Sequence, residues 1–127
     1  MEKKYEFTDE KIEVDGRTLY RIRALRDFGD VNAGDLGGFI DHEGKLSHKG
    51  NCWVGDLAAV YENTQVYDDA NIFGAAHVYG DACIYGSARV YNNAEIYDKA
   101  RICGNAQIYK HAFVGGNHIM STGEKTR

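Results

Sequence analysis

The chain has 127 residues, the size of one domain, with 43% hydrophobic residues, 15 Gly, 9 Tyr and no Pro. Abundant glycine without proline excludes a disordered linker protein and indicates a folded core with many tight turns. The formal net charge of −4, with both signs scattered along the chain, excludes a basic nucleic-acid-binding face and argues against an acidic mimic of DNA.

Residues 1–33 predict a β-hairpin that caps one end of the domain. The pattern alternates from residue 11 to 14, turns at Asp15-Gly16, and alternates again from Arg17 to Leu25. Asp-Gly between two alternating runs is a strong signal for a two-residue hairpin turn. Such a hairpin would cover the exposed edge strands of the element that follows. Its apolar face would consist of Tyr5, Phe7, Leu19, Ile22 and Phe28.

Residues 34–51 predict an irregular first coil of the repeat that follows them. Three glycines fall on the corner position of that repeat, and Leu36 falls on its aliphatic position. His42 and His48 take the other two aliphatic positions in this register. Atypical terminal repeats are expected in a solenoid because they cap the stack.

Residues 52–117 consist of eleven six-residue units with no insertion between them. The third position is Val or Ile in every unit, and the first is Ala in nine, with Cys52 and Thr64 as the exceptions. These two positions point to the same side of a short strand, so they face inward. The last two positions carry turn-forming residues. One strand and one corner per unit predict a triangular coil, with three units completing each turn. The solenoid is assigned to residues 34–117, and residues 118–127 are predicted to be a polar C-terminal tail.

This repeat resembles the hexapeptide-repeat left-handed β-helix proteins, and more narrowly the YdcK-type β-solenoid repeats. The resemblance implies an all-β fold, a left-handed parallel β-helix shaped as a triangular prism. It says little about function, because solenoids serve many roles.

The fourth position of the repeat is aromatic in eight of the eleven units and faces outward. The period of three units per turn sorts these side chains into one column per face. The rows could simply stabilise the coils by cross-strand packing. Alternatively, at least one row could bury itself against a protein partner or a second copy of the chain. The predicted partner-binding columns are Tyr61, Tyr79 and Tyr97; Phe73, Tyr91 and Tyr109; and Tyr67 and Tyr85, the last ending at Cys103.

Many relatives of this type are acyltransferases with a catalytic histidine near a subunit seam. Here only His77 lies in an outward strand position, and Glu95, one full turn later, could orient its imidazole. The protruding loop and the C-terminal segment implied by that family are missing from the pattern. An acyltransferase, active or degenerate, is therefore the alternative to a binding protein.

Other chemistry is weakly supported by the residue spacing. Cys83 faces outward without an adjacent base, and Cys103 would lie roughly 7–8 Å from it, too far for a disulfide. The acidic corners are interpreted as solvated turns, so no metal and no cofactor are expected. Trp53, next to Phe28 and Phe39, would either line a small pocket or seal the cap onto the first coil.

The predicted function is non-catalytic protein binding in the cytoplasm. The start of the chain lacks the apolar run of a signal peptide, no stretch reaches transmembrane length, and the cysteine number is odd. Residues 36–40 and 50–53 also resemble small solenoid proteins carried by phages and prophages. That resemblance implies an inhibitor that occludes a bacterial defence enzyme. We expect self-association as a homo-oligomer, docking on a protein partner, or both, without contact to nucleic acid or membrane.

Overall fold

The computed structural model describes residues 3–127, so residues 1 and 2 of the predicted cap lie outside the described residues. In that range the chain forms sixteen strands and one three-residue 3-10 helix, Glu43–Lys45. The first three strands are β1 (Tyr5–Val14), β2 (Arg17–Ala24) and β3 (Leu36–Ile40). Thirteen two-residue strands follow: β4 (Trp53–Val54), β5 (Ala59–Val60), β6 (Gln65–Val66), β7 (Asn71–Ile72), β8 (His77–Val78), β9 (Cys83–Ile84), β10 (Arg89–Val90), β11 (Glu95–Ile96), β12 (Arg101–Ile102), β13 (Gln107–Ile108), β14 (Phe113–Val114), β15 (Ile119–Met120) and β16 (Glu124–Lys125). No helix of the described range is long and apolar enough to cross a membrane.

The short strands form three parallel sheets, one on each face of a solenoid. Every third strand joins the same sheet, giving the orders β5-β8-β11-β14, β4-β7-β10-β13-β16 and β6-β9-β12-β15. We call these the hairpin face, the tryptophan face and the third face. In the regular coils each strand pairs with the strand three units further along the chain, as Val60 does with Val78. The triangular solenoid with three six-residue units per coil is therefore confirmed.

The core is the inside of the coil, filled by the first and third positions of each unit. All eleven Val and Ile side chains at the third position are at most 2% exposed, and the alanines at the first position are fully buried. Each buried aliphatic side chain contributes roughly 1.5–3 kcal/mol of transfer free energy. The predicted inward columns are confirmed, and they leave the second and fourth positions to form the outer faces.

The corners of the coil are held by side chains that reach the next coil. Glu62 adopts a φ of 65°, and its Oε1 accepts a hydrogen bond of 3.0 Å from the backbone N–H of Gly80. Asp98 repeats the arrangement with the N–H of Gly116, also at 3.0 Å. At Gly80, where φ is +73°, an added Cβ would lie 2.8 Å from the backbone nitrogen of Asp98. Polar and glycine corners therefore alternate along this edge.

The first coil has a different register from the one predicted. Ile40 pairs with Val60 and Leu46 with Val66, so these partners are two residues further apart than partners in the regular coils. Ile40 and Leu46 fill the inward positions, and Leu36 is 54% exposed. The prediction that His42 and His48 occupy the aliphatic positions is wrong. A buried imidazole without partners would cost free energy, and the two extra residues keep both rings out of the core.

The predicted hairpin with its Asp-Gly turn is confirmed. Strands β1 and β2 are antiparallel, and Asp15 and Gly16 have φ angles of 51° and 79°, as a type I′ turn requires. Strand β2 pairs antiparallel with β3, which continues in parallel into β5. The hairpin therefore extends the hairpin face and also covers the end of the core, where Tyr5 and Ile22 are fully buried.

A buried lysine ties the start of the chain to the first regular coil. Lys4 is fully buried, and its Nζ donates to the carbonyl oxygen of Cys52 at 2.7 Å and to that of Gly50 at 3.3 Å. The same ammonium lies 4.7 Å from the centre of the Phe28 ring. Burial lowers the pKa of Lys4 and raises the pKa of the Cys52 thiol.

The coil continues into the segment that the sequence predicted as a polar tail. Strand β15 pairs with β12, and β16 pairs with β13. In the last pair Lys125 lies opposite Ile108, so these partners are one residue closer in sequence than those of the regular coils. Residues 119–125 thus add two sides of a further coil.

Candidate functional site

The outward aromatic side chains form three stacked ladders, one on each face. Ring centres in successive coils are 4.9 to 5.7 Å apart, and the ring planes deviate by 1° to 17°. The spacing is slightly larger than the distance between coils, so the rings stack with a small offset. The ladders are Tyr61-Tyr79-Tyr97 on the hairpin face, Phe73-Tyr91-Tyr109 on the tryptophan face and Tyr67-Tyr85 on the third face.

The first rung on the hairpin face is covered by the chain's own cap. Tyr61 is only 3% exposed and clusters with Leu19, while Val14 packs against the same cluster. Burial raises the pKa of Tyr61 to about 12, and the nearby carboxylates act in the same direction. The expectation that Tyr61 faces outward toward a partner is wrong, because the hairpin already occupies that position.

The ladder on the tryptophan face is the longest that the hairpin leaves uncovered, and the Nζ of Lys110 lies 5.9 Å from the centre of its last ring, Tyr109. Its rings are half-buried, which is the exposure expected of stacked rings with one open edge. The hydroxyl of Tyr91 donates to Oε1 of Gln107 at 3.1 Å. Desolvation and the charge of Glu124 raise the pKa of Tyr109. This face therefore presents three pre-ordered rings.

The third face carries a shorter ladder. Tyr67 and Tyr85 stack at 5.0 Å with nearly parallel planes, and Cys103 takes the next place in the column. A hydrogen bond with Cys103 raises the pKa of Tyr85. Within residues 3–127 all three cysteines are free thiols, with Cys52 buried and the other two half-buried.

The histidine and glutamate of the acyltransferase alternative do not form a dyad. His77 and Glu95 are register partners on adjacent strands. The Glu95 carboxylate, however, accepts a hydrogen bond from the Tyr79 hydroxyl at 3.1 Å. The His77 ring lies edge-on to Tyr61, with ring centres 6.1 Å apart. Both side chains are therefore engaged by tyrosines of the hairpin-face ladder.

The acidic corners are likewise engaged in structural hydrogen bonds. Asp56 and Asp68 each accept from a glycine N–H one coil further on, at 3.0 and 3.1 Å. In the range 3–127 no three His, Cys, Asp or Glu side chains group in a way that could hold a metal ion.

A cavity of about 550 Å³ lies on the tryptophan face, between the loop that joins β2 to β3 and the strands β4, β7 and β10. Trp53 lines it and also packs edge-on against Phe28 and Tyr5, with ring centres 5.3 and 6.5 Å away. Both interpretations of Trp53 therefore apply, since it seals the cap and lines a pocket. Sequence reasoning missed the rest of the lining: Gly29, Asp30, Val31, Asp35, Leu36, Asn51, Gly55, Asp56, Asp69, Asn71, Phe73 and Arg89.

One signal in the sequence points to this cavity. The column of Phe73, Tyr91 and Tyr109 begins with Gly55, so a ring is missing where the ladder meets the cap. A glycine at a fourth position that is otherwise aromatic marks the place where the face is left open.

No known family model matches this chain. Over 42 residues the chain is 50% identical to a protein of Escherichia coli (strain K12) named "Uncharacterized acetyltransferase YdcK". The matched stretch is 33% of this chain and only 13% of that relative. Together with the coordinates, this similarity supports a hexapeptide-repeat β-helix.

Proposed function

We propose that this protein is a non-catalytic binding protein whose partner surface is the ladder of Phe73, Tyr91 and Tyr109. The single observation that carries the proposal is this row of three stacked, half-buried rings, which the hairpin leaves uncovered. Rings fixed by stacking lose little conformational freedom on binding, and tyrosine and phenylalanine are enriched at protein interfaces. The partner is another protein, or a second copy of the chain.

The molecule itself supplies a precedent for this mode of binding. On the hairpin face, Leu19 and Val14 of the β-hairpin pack against Tyr61 and bury it. That contact joins an extended segment to one rung of a tyrosine ladder. The ladder on the tryptophan face has the same stacking geometry, with ring centres 4.9 and 5.0 Å apart. It can receive an extended segment of a partner in the same way.

Paired variants on two faces test the proposal. Tyr91→Ala with Tyr109→Ala removes the proposed surface, and Tyr67→Ala with Tyr85→Ala removes a similar area from the third face. Wild-type and variant chains are used to capture proteins from a bacterial lysate, and light scattering measures their mass in solution over a range of concentrations. We expect capture or self-association to be lost in the first variant and kept in the second.

Thermal melts followed by circular dichroism establish that both variants remain folded. The proposal fails if a folded Tyr91 and Tyr109 variant keeps every partner and the same mass as the wild type. It also fails if the wild type stays monomeric at high concentration and captures nothing that depends on the ladder.

Acetyl transfer is the second candidate function. It is favoured by the printed name of the E. coli relative, and it would depend on His77, whose register partner Glu95 is engaged by Tyr79. Release of coenzyme A from acetyl-coenzyme A in the presence of amine acceptors, compared between wild type and His77→Asn, tests it. A rate equal to that of the buffer alone would remove this candidate.

Inhibition of a bacterial defence enzyme is a narrower form of the binding proposal. It rests on the resemblance of the cap and first coil to phage-carried solenoids. Identification of the protein captured through the ladder tests it directly.

A further inference from the structure

The cavity on the tryptophan face runs across the whole width of that face. Trp53, Asn71 and Arg89 occupy consecutive register positions on β4, β7 and β10 and form its floor. Val31 and Leu36 from the cap loop line one side. Leu36 is 54% exposed, although it is a large apolar side chain. A volume of about 550 Å³ is within the range of specific ligand pockets, about 300–1,000 Å³.

The cavity exists because the aromatic ladder stops one coil early. Phe73 is the first ring, and Gly55 takes the place below it. A Cβ added at Gly55 would meet Trp53 at 3.5 Å and Phe73 at 3.8 Å, which are ordinary contacts. The φ angle of Gly55 is not positive, so neither sterics nor backbone conformation requires glycine there. The glycine therefore keeps the space open between the cap loop and the ladder.

Negative charge dominates the lining. Asp30, Asp35, Asp56 and Asp69 face the cavity, whereas Arg89 is its one cationic side chain. No ion pair joins any of these four carboxylates to a lysine or arginine of residues 3–127.

Backbone N–H groups hold three of the four carboxylates in position. Asp35, Asp56 and Asp69 each accept one such hydrogen bond, at 2.8 to 3.1 Å. These contacts engage one oxygen of each group, so the acceptor capacity of the other oxygen is available. The nearby buried ammonium of Lys4 donates to the carbonyls of Gly50 and Cys52, and its charge also acts on Asp69 without a direct ion pair.

We infer that this cavity binds the arginine or lysine side chain of a basic segment of the partner protein. The side chain's alkyl stem lies against Trp53, Phe73 and Leu36, and its cationic end meets the carboxylate of Asp56 at one edge of the face. Asp30 and Asp69, at the other edge, add to the attraction at longer range. Aromatic rings with fixed acceptors around them are the surroundings that favour an organic cation over an anion or a neutral group. The segment then continues along the ladder, so this inference rests on the proposed function.

Trp53 provides a direct measurement, because it is the chain's one tryptophan and lines the cavity. Its emission is followed while capped Gly-Ser-Xaa-Ser-Gly peptides are added, with arginine, citrulline or glutamate in the central position. Citrulline has the shape of arginine without the charge. We expect saturable binding of the arginine peptide, weaker by about ten-fold with citrulline and absent with glutamate. Equal binding of arginine and citrulline, tighter binding of glutamate, or no saturable change with any peptide would overturn the inference.

Methylguanidinium separates a side-chain site from a site for a small free cation. We expect it to bind more weakly than the arginine peptide, because it lacks the alkyl stem. Binding as tight as that of the peptide would assign the cavity to a free cation and contradict the inference.

Two changes to the lining test the inference independently, the first by removing negative charge and the second by filling the space. Asp30→Asn with Asp56→Asn should weaken the arginine peptide by about ten-fold. The fold should tolerate this change, because Asn92 occupies an equivalent corner with a φ of 57° and accepts the N–H of Lys110 at 3.1 Å. Asp81→Asn with Asp98→Asn makes the same change of charge on the opposite edge and should leave the affinity unchanged. Equal losses in both variants would show only a general charge effect.

The second change to the lining closes the cavity. Gly55→Tyr adds the missing ring beneath Phe73 and should abolish peptide binding without lowering the melting temperature. A folded Gly55→Tyr protein that binds the arginine peptide as the wild type does would refute the assignment to this cavity.

Failure of this inference can be told apart from failure of the proposed function. Tyr109→Ala lies two coils from Phe73 and should reduce partner capture while leaving peptide binding intact. If the peptide binds as expected and no partner depends on the ladder, only the proposed function fails. If the Asp30→Asn, Asp56→Asn protein still captures its partner through the ladder, the proposed function holds. Only the inference that the partner inserts a basic side chain into the cavity then fails.

Discussion

Truncation of one inward side chain tests the solenoid core most directly. Ile84 lies at the centre of its column, fully buried between Val66 and Ile102 in the neighbouring coils. Replacement by alanine removes three carbon atoms from the interior. Such substitutions cost about 2–5 kcal/mol, depending on how far the surroundings can collapse into the space.

Collapse is restricted at this position, so the cost should fall in the upper half of that range. The carbonyl of Ile84 accepts the N–H of Tyr67 at 3.1 Å, and the N–H of Tyr85 donates to the carbonyl of Ile102 at 2.9 Å. These ladder bonds keep the coils at a fixed spacing. We therefore expect a loss of about 4 kcal/mol in the free energy of unfolding. That corresponds to a fall of about 10–20 °C in melting temperature for a domain of this size.

Urea unfolding followed by circular dichroism measures the change. Ile84→Val, which removes one carbon, should cost about 1 kcal/mol, and Asn93→Ala at an exposed corner should have little effect. A loss below about 1 kcal/mol for Ile84→Ala would mean that this column is not a close-packed core.

Three further results are expected. Gly80→Ala should destabilise the fold by more than Gly116→Ala. Both glycines have positive φ, but only at Gly80 would the new Cβ lie against backbone, 2.8 Å away. Equal midpoints of urea unfolding for the two variants would contradict the corner geometry. The pKa of Tyr61 is raised to about 12, whereas an unfolded tyrosine ionises near pH 10. Its contribution is therefore complete below pH 10 and is lost between pH 10 and 12; thermal melts of Tyr61→Phe should decline more gently there, and parallel curves would count against this. A thiol reagent should modify Cys52 last, because it is buried; early loss of that thiol would mean that the cap opens readily.

The regular part of the fold could be predicted because its signal is local. Each unit of the repeat carries its own inward pair and its own corner, so an uninterrupted period of six fixes strand, corner and coil length together. The Asp15-Gly16 turn is local in the same sense, since its two residues determine the φ angles that the hairpin needs. Stacking of the aromatic columns then follows from the coil length alone.

The errors of prediction arose where distant segments meet. The first coil contains two extra residues between Leu46 and Val54, and only the pairings of Ile40 with Val60 and of Leu46 with Val66 reveal them. When the six-residue register is continued toward the N-terminus without these extra residues, it places His42 and His48 in the core instead. Tyr61 shows the same limit, because nothing near it in the chain indicates that Leu19 covers it.

Prediction of the cavity would have required both a local sequence signal and the packing of distant segments. The glycine that opens it, Gly55, interrupts a visible aromatic column and could have been noticed. Its opposite wall comes from the loop that joins β2 to β3, whose position depends on the packing of the whole cap. Asp30 and Asp35 therefore carried no sequence signal of a shared site.

The contacts between corners set how this solenoid could grow. Three polar corners in one coil, Asp56, Glu62 and Asp68, each bond to a glycine in the next. Further along the axis the strict alternation ends, because Gly104 follows Gly86 and Lys110 follows Asn92 at their corners. Asn92 nevertheless accepts the N–H of Lys110 at 3.1 Å, so the contact requires a backbone N–H in the next coil rather than a glycine. A single inserted coil would therefore still offer a donor to each polar corner below it.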